Sequence, residues 1–101
     1  MSGPVWKNIY QLSDKQISDL DSAEELMQLM DINSAEKILL DMLAEDSQCV
    51  PVLNNLGHMY GRYLSEFEKA VEYYDIVLQI EPDNAWARDE RRRYRRYITY
   101  D

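Results

Sequence analysis

Ala35 and Ala70 stand 35 residues apart, and the same interval separates Leu39 from Tyr74, Met42 from Val77 and Ser47 from Pro82. An interval of that size matches a pair of helices with their turns, repeated along the chain. Such a unit cannot bury its apolar face by itself, so repeats of it must stack. The two stretches, "SAEKILLDMLAEDS" and "EKAVEYYDIVLQIEP", each carry apolar residues every three or four positions, the period of a half-buried helix. Nothing in the chain alternates with a period of two for long enough to make a strand. With 3 Gly and 3 Pro in 101 residues, few turns can rely on either, which also favours helices.

Helix boundaries follow from local signals. "GPVWKNIYQL" places Val5, Trp6, Ile9 and Tyr10 on one face of a short N-terminal helix, with Pro4 in its first turn. Ser13 with Gln16 reads as a capping box, and Ile17, Leu20, Ala23, Met27 and Met30 carry a helix over 14–30. A second box, Ser22 with Glu25, allows that helix to break near Asp21. "DIN" at 31–33 reads as a turn, with Asn33 and Glu36 as the next box. Ala35, Ile38, Leu39, Met42 and Leu43 then form a further stripe. Pro51 opens another helix, which carries Leu53, Leu56, Gly57 and Tyr60 on one face, and the chain turns at "YLSEF". Ala70, Val71, Tyr74, Val77 and Leu78 mark the next helix, stopped by Pro82, and Asn84 caps a last one.

The stretch from Val50 to Asn84 resembles a tetratricopeptide repeat. It supplies Leu53, Leu56-Gly57, Tyr60, Ala70, Tyr74, Val77 and Pro82 in the order of that family's pattern. Val77 replaces a small residue of the pattern. The turn holding Leu64-Ser65 is one residue longer than the family's Gly-Asp turn. Residues 14–49 fit as a degenerate repeat: Ala23, Leu26, Ala35, Leu39 and Met42 match, while Ser47 stands in place of proline. A third repeat would put Leu-Gly at Arg91-Arg92, and unpaired buried charge is costly, so the array ends there. The expected fold is all-α, with antiparallel helix hairpins stacked as a short right-handed superhelix. It is divided into an N-terminal cap (1–13), two repeats (14–49 and 50–84) and an Arg-rich capping helix (85–101).

The resemblance implies a non-enzymatic adaptor that holds a partner peptide or helix on its concave side. The expected wall is Asn54, Asn55, His58, Met59 and Arg62. Family members that clamp acidic peptide tails need a basic inner face. Here Asn55 matches, but Asn54, His58, Leu20, Trp86 and Glu90 do not, so no acidic-tail clamp is expected. Residues 1–87 carry a net −11 and residues 88–101 a net +3, within a total of −8, which favours a basic or neutral-amphipathic partner. Two alternatives remain. One is a structural subunit that self-associates. The other, ranked last, is nucleic-acid contact through the C-terminal arginines, with Tyr94 and Tyr97 interleaved. Arg91, Arg92, Arg95 and Arg96 are the candidates for electrostatic contact, against a plainer reading as a solvated helix cap. Trp6 and Tyr10 read as a cover for the first helix pair, or as a patch for another subunit.

No catalytic or metal-binding pattern stands out. One histidine, His58, and one cysteine, Cys49, make no zinc set, and His58 reads as a half-exposed helix residue. No Gly-rich phosphate cradle is present, so no cofactor is expected. A lone cysteine fits a reducing compartment. "MSGPVWKN" lacks the features of a leader, and no apolar run approaches the roughly 18 residues of a membrane span. The expected location is cytoplasmic.

Overall fold

A computed structural model describes residues 10–98, and every regular element among them is helical. The helices are α1 (Asp14–Gln28), α2 (Ile32–Glu45), α3 (Val50–His58, continuing as a π-helical stretch, Met59–Tyr63), α4 (Phe67–Ile80) and α5 (Ala85–Ile98). The expected N-terminal helix, including Trp6, lies outside the described residues except for its end. There Tyr10 and Gln11 form a turn. The chain divides into two compact units, one up to Val52 and one from Leu53 onward.

In the first unit α1 and α2 form a hairpin. Ser13 starts α1 with both arms of its capping box: the Gln16 backbone N–H donates to Ser13 Oγ (3.1 Å) and the Ser13 N–H to Gln16 Oε1 (2.9 Å). The possible break at Ser22–Glu25 does not occur. Leu20, Ala23 and Met27 form one continuous buried face, and that packing outweighs the local capping signal. The helix ends two residues earlier than the periodicity suggested. Met30 is exposed, at φ 64°, and turns the chain instead of extending the stripe. The cap of α2 is Asp31, not Asn33. Its carboxylate accepts from the Ser34 N–H (3.4 Å), which leaves Asn33 inside the first turn.

The repeat is written in the backbone as well as in the side chains. Helices α2 and α4 have 14 residues each and begin 35 positions apart, at Ile32 and Phe67. Each is preceded by a non-glycine residue in the left-handed region, Met30 at φ 64° and Ser65 at φ 54°. Their N-cap residues share one conformation, Asp31 at −91°, 73° and Glu66 at −94°, 77°. Their C-caps agree too, Asp46 at −143°, 90° and Glu81 at −129°, 82°. Ala35, Leu39 and Met42 in α2 and Ala70, Tyr74 and Val77 in α4 are all buried. The chain is therefore an all-α, helical-repeat protein built on helix hairpins.

The approach to Ser65 is made by the end of α3 itself. The Leu64 N–H reaches back five residues to the Met59 carbonyl (3.2 Å), which widens the last turn into a π-helix. Ser65 and Glu66 follow it, 35 positions after Met30 and Asp31. Further on, α4 stops at Ile80, Pro82 and Asp83 make the turn, and the Asn84 side chain accepts from the Ala87 N–H (2.9 Å), as the sequence implies.

The second unit packs α3, α4 and α5 around aromatic rings. An ideal Cβ on Gly57 would lie 2.7 Å from Tyr74 Cζ, and one on Gly61 would lie 2.5 Å from Tyr94 Cζ. Both glycines occur where a ring lies directly on the α3 backbone, the close approach that only a missing side chain permits. The Tyr74 ring stacks on Tyr94 (6.2 Å, 7°), and Tyr94 stacks in turn on Phe67 (5.9 Å, 18°). Arg91 of α5 forms an ion pair with Asp75 of α4, so it is not the unpaired charge that its place in the repeat pattern suggested.

Candidate functional site

The face of α3 that meets the rings also carries the residues expected to bind a partner. Asn54, Gly57, His58 and Gly61 follow one another at helical spacing of three, one and three residues. Asn54, Asn55 and His58 are half-buried and Arg62 is exposed, so these four reach the surface of the unit. Met59 does not. It lies one turn beyond Leu56 on the core side of α3 and is fully buried, which removes it from the expected wall.

Three polar groups lie buried beside that wall. Asn54 Oδ1 and Tyr74 Oη are shielded from solvent and have no hydrogen-bond partner. The third is Glu90, only 8% exposed. Trp86, Glu90 and Tyr94 follow each other every four residues on α5. The two rings flanking Glu90 both contact Tyr74, with Trp86 edge-on (5.5 Å, 76°) and Tyr94 stacked. Glu90 lies near enough for its charge to act on the Tyr74 phenol. An ion pair to Arg93 links it to solvent, at 3.6 Å from Oε2. That is too long for a hydrogen bond.

The electrostatics follow from this crowding. Burial pushes the Tyr74 phenol far above the usual tyrosine range, and the nearby Glu90 charge adds to it. Tyr94 is raised for the same two reasons. His58 is lowered from its ordinary value, first by burial and then by the Arg62 charge, with Glu90 opposing. Its ring meets Tyr63 edge-on (5.8 Å). A histidine whose folded pKa is depressed stabilises the fold above its unfolded value near 6.5, and that contribution is lost as pH falls. Thermal unfolding from pH 7.5 to 5.5 is therefore expected to show declining stability, with a flatter decline in His58→Gln. An unchanged slope in that variant would assign the effect elsewhere.

Apart from Arg93, the arginines of α5 gather in a groove of their own. Arg88, Arg91, Arg92, Arg95 and Arg96 line a shallow groove of about 360 Å³, with Arg91 tied to Asp75. Tyr94, read as a base-stacking ring, is buried between Tyr74 and Phe67, and Tyr97 lies on Phe67 (4.7 Å). The interleaved tyrosines belong to the core packing, which leaves the groove lined by arginines without a buried stacking platform. Cys49 is buried, and burial pushes its thiol up, away from the reactive thiolate.

Among the described residues no cluster of three or more His, Cys, Asp or Glu is placed to hold a metal ion, and no helix is long and apolar enough to cross a membrane. Comparison of the chain with protein-family models, curated proteins and solved structures gave no match.

Sequence reasoning missed Glu90, Tyr74 Oη, Trp86 and Gly61 as parts of this site. The signal for Glu90 was present: it stands four residues from an aromatic on each side, which places it on their face. Six neighbouring arginines disguised it as a solvated charge.

Proposed function

We propose that the chain is a non-enzymatic protein-interaction module of tetratricopeptide type, and that the exposed face of α3 holds a segment of a partner protein. Asn54, Asn55, His58 and Arg62 form the contact wall. The observation that carries this reading is the 35-residue repetition of cap, helix and turn from Met30 to Glu81, joined to the family-like residues of the second repeat. Leu53, Leu56, Tyr60, Ala70, Tyr74 and Val77 are all buried where that pattern needs core residues. Helical repeats of this kind offer surfaces lined by polar side chains at regular helical spacing, suited to extended or helical segments. Asparagine amides supply both a donor and an acceptor for a peptide backbone. The net charge of −8 favours a basic or neutral-amphipathic segment over an acidic one.

Three peptides of equal length, one basic, one neutral-amphipathic and one acidic, test the reading by amide NMR titration. Saturable shifts at Asn54, Asn55, His58 and Arg62 are expected with the first two and absent with the acidic one. Micromolar binding of the acidic peptide, or silence of these four residues with all three, would refute it.

A further inference from the structure

We propose that the second unit contains a cation-receiving site formed by Glu90, Asn54 and Tyr74 beside Trp86, and that its ligand is the ammonium or guanidinium group of a lysine or arginine in the bound segment. This deepens, and rests on, the reading of α3 as a partner-binding face.

The inference starts from an imbalance. Glu90 is 8% exposed, and burying an ionised carboxylate costs several kcal/mol unless it is paired and hydrogen-bonded. Arg93 stands 3.6 Å from one carboxylate oxygen, and its own side chain is 57% exposed to water. Such a loose pair compensates little of the cost. His58 does not supply the missing charge, since burial favours its neutral form by more than Glu90 favours the charged one.

The neighbouring orphans can both accept a hydrogen bond. Asn54 Oδ1 can only accept a hydrogen bond, and so can an ionised Glu90; Tyr74 Oη has lone pairs to accept with. An unpartnered amide oxygen, an unpartnered phenol oxygen and a loosely paired carboxylate call for a ligand rich in N–H groups. A water molecule would serve Asn54 and Tyr74 and leave Glu90 with the loose Arg93 pair alone. An anion would meet the carboxylate. An ammonium offers three donors and a guanidinium five, with the charge that Glu90 needs.

Placement brings these groups together. Tyr74 Cζ, which bears the hydroxyl, lies against Gly57, so the phenol end sits one residue from His58 and one turn from Asn54 on α3. Glu90 stands on α5 between the two rings that contact Tyr74, and its charge acts on both the Tyr74 phenol and His58. Trp86 is 47% exposed and edge-on to Tyr74, which leaves indole surface at the rim for a cation to lie over. Asn54 and His58 are half-buried, so the rim is open to a side chain arriving along α3.

The probes are N-acetyl-arginine methylamide and its neutral isostere N-acetyl-citrulline methylamide, titrated into the 101-residue chain and followed by amide and indole NMR. The arginine compound is expected to shift the Trp86 indole, the Asn54 side-chain amide and the Glu90 amide saturably, and the citrulline compound at least tenfold more weakly. Glu90→Gln should weaken the arginine response about tenfold with the spectrum otherwise retained, and Asn54→Ala should weaken it by a smaller factor. Equal response to citrulline, an undiminished response in Glu90→Gln, or shifts confined to exposed acids such as Glu68 and Glu72 would overturn the site. So would the absence of any saturable shift, which would leave water as its occupant. Should neutral-amphipathic peptides shift Asn55 and Arg62 while the arginine probe leaves Trp86 unmoved, the partner-binding face stands and the cation site falls. Should the probe saturate Trp86 while no peptide moves α3, the cation site stands and its assignment to a partner segment falls.

Discussion

Tyr74→Ala is expected to destabilise the second unit by about 3–5 kcal/mol, the range for deleting a large buried ring. The ring is fully buried, lies on the Gly57 backbone, and is held between Trp86 and Tyr94. Its removal leaves a cavity that neither neighbour can fill without giving up its own stacking. Tyr74→Phe is expected to go the other way. The hydroxyl it removes is buried and unpartnered, and such a group carries a desolvation penalty with no compensating bond. Stability should be unchanged or higher by up to about 1 kcal/mol. The same variant should weaken arginine binding, because it deletes one acceptor of the proposed site. Urea unfolding of both variants measures the contrast. A loss of more than about 1 kcal/mol in Tyr74→Phe would mean that the hydroxyl has a partner within the fold.

The second large effect concerns the two glycines of α3. Alanine is the better helix former by about 1 kcal/mol, so Gly61→Ala would stabilise an isolated helix. In this fold it should destabilise instead. The new Cβ would meet Tyr94 Cζ at 2.5 Å, and Tyr94 has little room to retreat between Tyr74 and Phe67. Overpacking of this kind costs about 1–3 kcal/mol. Gly57→Ala should behave alike against Tyr74, where the approach is 2.7 Å. Pairing Gly61→Ala with Tyr94→Leu should recover part of the loss, giving a coupling energy of about 1 kcal/mol or more. Independent, additive losses would show that the steric account is wrong.

Much of this architecture is legible in the residue order because it depends on local rules. The 35-residue interval, the Ser13 box, the Pro82 stop and the Asn84 cap each need only a few neighbouring residues to be recognised. What escapes is decided by contacts distant in sequence. Asp31 displaces Asn33 as a cap because α2 starts in the register set by the hairpin, where Glu66 stands in the other repeat. The π-helical turn at Met59–Tyr63 has no residue signature of its own. It falls where Gly61 lies under the Tyr94 ring.

The candidate site divides in the same way. Asn54, Asn55, His58 and Arg62 reach the surface because helical spacing alone predicts it. Met59 could be recognised as core by its distance of three from Leu56, yet its neighbour His58 drew it onto the wall. Met59 falls on the same side as Leu56, one turn on, and that side is the core. Glu90 is the instructive miss. A carboxylate among arginines reads as surface, and only the rings four residues before and after it reveal that it turns inward.

Amide hydrogen exchange on the intact chain, alone and saturated with the tightest-binding basic peptide, tests most directly where a partner sits. Slowed exchange in the segment from Asn54 to Arg62 and around Glu90, with α1 and α2 unchanged, is the result foreseen. Protection confined to α1 and α2, or to the outward arginine face of α5, would contradict the assignment of the α3 face.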